Sequence, residues 1–185
     1  MNLTGKEIVA LGIVTGPIEK DNIQMHSVDL NVIKIQHIGP KGHIPKEGKT
    51  ELPEYEDVET YPIKIGWNKD KTDLIEVQWW MLEPGMYNVE FAQGCSIPSN
   101  KRLRLVQRSS LLRCGGMLAS SFFDSGFKTN SVGTCIIVMQ RLTIEKGARI
   151  ATAYTEESNE VAPEDLYGAK GKNSQWQSDS QRKAE

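Results

Sequence analysis

No apolar run in this chain is long enough to cross a bilayer, which takes about 20 residues as a helix, and the N-terminus carries no basic-then-apolar leader pattern. No membrane association is expected. Charge of one sign is not in excess either. Lys and Arg number 22 against 24 Asp and Glu, a net charge of −2, so a general affinity for polyanions is not indicated and no nucleic-acid partner is expected. Cysteine is scarce: Cys95, Cys114 and Cys135 are an odd number without metal-like spacing. They read as reduced thiols of a cytoplasmic protein and give a zinc centre no support. The 185 residues suffice for one domain with a core and extensions.

Thr4 followed by Glu7 before an apolar stripe has the spacing of a capping box, which predicts a short N-terminal helix. The segment 22–35 ends in the alternation of a strand and contains Asp29, an acid that must find a partner, face solvent or cap a turn. Residues 39–60 are rich in Gly, Pro, Lys and Glu without periodicity, and read as a long exposed excursion. Leu74–Leu82 and Tyr87–Phe91 are strand-like and flank a Pro84-Gly85 turn. Trp79 and Trp80 should point to opposite faces. The apolar run Cys135–Met139 reads as a buried strand, 142–147 as a short strand and tight turn, and 148–154 as a closing strand. Many short strands with Gly and Pro turns predict an all-β sandwich or barrel.

The stretch Gln107–Gly116 organises the rest. It follows Arg102-Leu103-Arg104-Leu105-Val106, whose leucines share one face. Ser109 or Ser110 is expected to cap a helical turn that closes at Gly115-Gly116. Arg108 with two serines at such a turn has the chemistry to grip phosphates, or is a plain surface turn. Beyond Tyr154 polar residues dominate. Residues 156–185 cannot fold independently, and form a frayed tail or an arm that orders over a ligand, with Trp176 favouring the arm.

Six motifs in order resemble one family. His26-Ser27-Val28-Asp29-Leu30 resembles the "SVDL" signature of dCTP deaminases and related dUTPases, and Glu83-Pro84-Gly85 their "PGE" turn. Arg108-Ser109-Ser110-Leu111-Leu112-Arg113 is close to "RSSLxR", and Phe123–Phe127 to "IDPGF/W". Gly147–Ala151 resembles "GxRIAQ", and 167–177 the closing arm. The resemblance implies a distorted β jelly roll over 1–155 and an arm over 156–185. It also implies a homotrimer or hexamer with deoxynucleoside triphosphate sites at subunit interfaces, and Mg²⁺ as cofactor.

By the same resemblance, Arg108, Ser109 and Ser110 would hold the triphosphate with Arg113 beside it. Asp124 would sit at the 3'-hydroxyl and orient the attacking water. Phe127 would pack under the sugar and exclude a 2'-hydroxyl. Asp29 would order Mg²⁺ through water, and Tyr167, Lys172 and Gln175 would belong to the arm. These roles suit the chemistry, because a triphosphate needs its charge neutralised before a nucleophile approaches.

The chain departs from the pattern in several places. The deaminase branch carries a glutamate ten residues past the Asp; here Thr134 stands there, and no Asp or Glu occurs from 128 to 144. The Arg108–Asp124 spacing is two residues short, and the segment 128–133 lacks the usual early Gly. Thr152 stands for Gln, and Gln107 for Gly. The leading expectation is hydrolysis of dUTP to dUMP and pyrophosphate. The alternatives are deamination or hydrolysis of dCTP, and a non-catalytic nucleotide-binding or regulatory homologue.

Overall fold

Short antiparallel strands carry nearly all of the chain's regular structure. The computed structural model describes residues 3–48, 50–67 and 73–169. In chain order these hold α1 (Gly5–Ala10), β1 (Val14–Thr15), β2 (Val28–Ile38), β3 (Tyr55–Asp57), β4 (Tyr61–Trp67), β5 (Leu74–Leu82) and β6 (Gly85–Phe91). There follow β7 (Gly94–Ser96), β8 (Lys101–Gln107), α2 (Ser109–Arg113), β9 (Gly116–Leu118) and β10 (Ser121–Phe123). Last come β11 (Lys128–Thr129), β12 (Gly133–Val138), β13 (Leu142–Glu145) and β14 (Arg149–Glu157).

The capping box forms as its spacing predicts. The Glu7 amide donates to Thr4 Oγ1 at 3.3 Å, and the Thr4 amide donates to Glu7 Oε2 at 2.7 Å. The Thr4 amide and the Thr4 hydroxyl both donate to the ionised carboxylate and hold the Glu7 carboxyl below its usual range. Ile8 then turns inward and is fully buried.

The central sheet runs β10-β8-β14-β2-β6-β12-β9, with β3 on β2. Smaller sheets β1-β7-β11 and β13-β5-β4 flank it. Register shifts between Val32 and Lys34 and between Arg149 and Ala151 bend the long strands. The product is an all-β distorted jelly roll with curled sheets. Leu103 and Leu105 of β8 are buried while Arg102 and Arg104 look away from the core. Trp80 is buried with its indole N–H on the Val58 carbonyl, and Trp79 on the opposite face is half-buried.

Two expectations need correcting. The run ending β12 is not buried on both sides: Thr134, Ile136 and Val138 point inward, but Ile137 and Met139 are exposed. Ile137 lies in register between Met86 and Met117, an open apolar row across three strands. The α2 cap is Arg108, without a side-chain cap bond, rather than Ser109 or Ser110. The reason is tertiary, since the Arg108 amide still donates to the Ile150 carbonyl of β14, extending the sheet pairing one residue further.

Residues 39–48 and 50–54 run mostly exposed between β2 and β3, with a His43–Glu51 bridge. Among the described residues no helix is long and apolar enough to cross a membrane.

Candidate functional site

Three adjacent strands bring one group of site residues together. In β2 and β14, Asp29 faces Thr152, and in β14 and β8, Ala151 faces Gln107. Asp29, the second residue of β2, is therefore paired within the sheet and is not a turn cap, with its side chain only 3% exposed. A buried carboxylate is tolerable only when compensated. Thr152 Oγ1 donates to Asp29 Oδ1 at 2.7 Å. Asp29 Oδ2 lies 3.3 Å from Arg108 Nε and 3.8 Å from Arg149 Nη1. Ser109, Ser110 and Arg113 are exposed on α2, directly after Arg108. Both sequence departures nearby have structural uses: Thr152 holds Asp29, and Gln107 Oε1 accepts from the Leu118 amide at 3.1 Å.

Asp29 is not placed to coordinate Mg²⁺ directly; the role expected of it runs through water. Its carboxylate is enclosed and faces two guanidiniums, which a divalent cation would have to displace. Among the described residues no three His, Cys, Asp or Glu side chains converge as a metal site.

A second group gathers at the turn between β10 and β11. The Asp124 side chain is 61% exposed, its Oδ1 3.9 Å from Arg102 Nε, so its carboxylate is open to solvent. The turn is tightly specified. Ser125 Oγ donates to the Lys101 carbonyl at 2.8 Å, and the Gly126 amide to the Ile97 carbonyl at 3.0 Å. Gly126 has φ +87°, and a Cβ there would come within 2.9 Å of Leu166 Cβ.

Phe127 is 5% exposed, its ring 5.0 Å from Phe123 and 5.2 Å, edge-on, from Tyr167. The Tyr167 amide donates to the Ser125 carbonyl at 3.0 Å, which seats the start of the C-terminal segment on this turn. A cleft of about 280 Å³ runs between them, with Arg102, Asp124, Asp165 and Tyr167 in its wall. From that side a ligand meets Tyr167 before Phe127. Lys172 and Gln175 lie outside the described residues.

The two groups do not meet within one chain. Phe123 pairs with Leu103, which puts Asp124 beside the start of β8, whereas Arg108 follows its end. Six residues of strand separate them, about 20 Å at the usual rise. A base and the phosphate grip of one reaction centre must approach far more closely than this.

On β12, where a proton shuttle for the base would stand, Thr134 Oγ1 donates to the Ala119 carbonyl at 2.7 Å and accepts from Ser121 Oγ at 2.6 Å. Burial pushes the Cys135 thiol above its ordinary value. Arg149, which the sequence reading did not single out as a site residue, is brought to Asp29 by strand pairing. The signal was the buried acid itself, which demands cations.

A family model described as dCTP deaminase-like matches residues 3–156. A probable deoxyuridine 5'-triphosphate nucleotidohydrolase of Halobacterium salinarum is 31% identical over 135 residues, 73% of this chain and 75% of that protein. Its counterpart in Aeropyrum pernix is 30% identical over 154 residues, 82% and 85% of the two chains. The deoxyuridine 5'-triphosphate nucleotidohydrolase of Methanocaldococcus jannaschii is 32% identical over 145 residues, 78% and 84%. Among solved structures, the 2'-deoxycytidine 5'-triphosphate deaminase of Agrobacterium tumefaciens superposes with a TM-score of 0.61 at 14% identity, over 92% of this chain. The present chain spans 53% of that deaminase, and the likeness is one of fold.

Proposed function

We propose that this chain, which belongs to the dCTP deaminase-like family, hydrolyses dUTP to dUMP and pyrophosphate at sites shared between subunits of a homotrimer. The observation that carries the reading is the division of labour along β8. A phosphate grip of Arg108, Ser109 and Ser110, with Arg113 beside it, stands at one end, and the open carboxylate of Asp124 at the other. A neighbouring copy supplies the missing half. The open Met86–Ile137–Met117 row, unusual on a free surface, supports association.

At such a site Asp124 takes the proton of the water that attacks the α-phosphate. Arg108 and the two hydroxyls receive the charge that develops on the phosphoryl oxygens. Phe127 and Tyr167 form the apolar wall against the sugar, and Lys172 and Gln175, outside the described residues, are assigned to ligand contact by the family resemblance alone. Mg²⁺ bound to the phosphates supplies charge neutralisation when present, and no described side chain is assigned to it.

Hydrolysis is favoured over deamination because deamination needs an acid-base group at the base. Thr134 offers none near neutral pH, and the Cys135 thiolate is disfavoured by burial. The test is incubation with dUTP and with dCTP, following dUMP, dCMP, pyrophosphate and ammonia. Stoichiometric dUMP and pyrophosphate from dUTP, without ammonia from dCTP, is the expected result. Ammonia released from dCTP in step with its loss overturns the assignment.

A further inference from the structure

We infer that Arg149 is a second guanidinium of the phosphate grip, paired with Arg108 across the buried carboxylate of Asp29, which acts as the positioning residue for both. The inference rests on the nucleotide reading above and deepens it, naming a polyphosphate contact outside the Arg-Ser-Ser motif.

Two guanidiniums share one carboxylate, which neutralises one of their two charges. Asp29 Oδ2 has neighbours at ion-pair distance but no hydrogen bond of ordinary geometry. The planar forks therefore rest beside the carboxylate without closing onto it, and their remaining N–H donors are uncommitted to it. About a third of each side chain, 32% for Arg108 and 30% for Arg149, is open to solvent. A planar fork with free donors and surplus charge is suited to phosphoryl oxygens.

The backbone holds Arg149 in this pose. Arg108 Nη1 donates to the Arg149 carbonyl at 3.4 Å, and Arg149 Nη1 donates to the Asp21 carbonyl. The turn before it is pinned by Asn31 Nδ2 on the Gly147 carbonyl at 2.7 Å and by the Gly147 amide on the Val32 carbonyl at 2.8 Å. Arg149 is thus held at the head of β14, next to the strand end that delivers Arg108. Each fork has a nitrogen within 4 Å of the same Asp29 oxygen, so the phosphoryl oxygens of one polyphosphate can meet both.

The full-length protein is titrated calorimetrically with inorganic tripolyphosphate at low and high salt, for wild type, Arg149→Gln and Arg149→Lys. Arg149→Gln should lose about tenfold or more in affinity, the scale of a charge-assisted hydrogen bond, and flatten the salt dependence. Arg149→Lys should recover part of the affinity. In dUTP assays the Gln variant should raise KM more than it lowers kcat. Unchanged tripolyphosphate affinity and salt slope in a Gln variant with wild-type melting overturns the inference.

Should that variant not fold, phenylglyoxal modification of the wild type gives the same decision by mass spectrometry. Tripolyphosphate should shield Arg149 and Arg108 together, and equal modification of Arg149 with and without it overturns the pairing. Failure of the proposed activity is read separately, as absence of dUMP from dUTP while tripolyphosphate binding is intact.

Discussion

Mixing two inactive variants should restore activity, and the amount follows from the geometry of β8. Arg108 and Asp124 stand at opposite ends of that strand, about 20 Å apart. A water-activating carboxylate has to act within about 3 Å, or through one water, of its target. On the proposed reading, each site takes Arg108 from one subunit and Asp124 from the next. In Arg108→Gln alone every phosphate grip is damaged, and in Asp124→Asn alone every base is missing. In a closed oligomer assembled at random from equal amounts of both, a site is intact when its first subunit keeps Arg108 and its neighbour keeps Asp124. That joint chance is about one half squared, about a quarter of all sites, which becomes about a third of the sites in mixed trimers once single-type trimers are set aside. Each parent alone should sit about 10²-fold below wild type, which leaves a wide window for the assay. The two chains are co-refolded with different affinity tags, the doubly tagged oligomers are isolated, and dUMP release is measured. Doubly tagged oligomers no more active than the parents would refute the shared site and require both residues to act within one chain.

Further outcomes follow from single side chains. Asp124→Asn should bind dUTP nearly as wild type and lower turnover by about 10²-fold; near-normal turnover removes Asp124 from the chemistry. The native protein should discriminate against UTP, and Phe127→Ala should narrow the gap between UTP and dUTP; equal native rates on both would dismiss steric reading of the sugar. Asp29→Asn should cost about 2–3 kcal/mol in reversible melting, less than for a fully buried pair because both arginines are a third exposed. Burial pushes the Cys95 thiol up to about 12, so iodoacetamide near pH 8 should label the exposed Cys114 and spare Cys95. Cys135 should lag Cys114 as pH rises.

Much of the fold was legible because the forces involved are local. Thr4 and Glu7 satisfy each other's backbone over three residues, and Leu103 and Leu105 declare the inward face of β8 by alternation alone. The strands β1, β7 and β11 were not legible. They are two or three residues long and exist through pairings such as Val14 with Cys95, which no local pattern encodes. The β12 run gave a wrong burial pattern because both of its faces are apolar, one on the core and one in the open row. The helix cap was displaced by a backbone pairing to a strand some 40 residues further on.

The site divides along the same line. Motifs named its residues, but only topology says which of them cooperate. Arg108 and Asp124 are sixteen positions apart, and proximity in sequence suggests a single local site. The antiparallel return of β10 along β8 instead carries Asp124 back to where β8 began. Conversely, Asp29 and Thr152 are 123 residues apart and share a hydrogen bond. An acid buried in a strand announces that cations must converge on it, yet their identity, Arg108 and Arg149, depends on β14 lying between β2 and β8. The same adjacency gives the departure at Thr152 its use, since a short hydroxyl meets Asp29 Oδ1 directly from the facing strand. The departure is then a local repacking around the carboxylate that sets two arginines toward solvent.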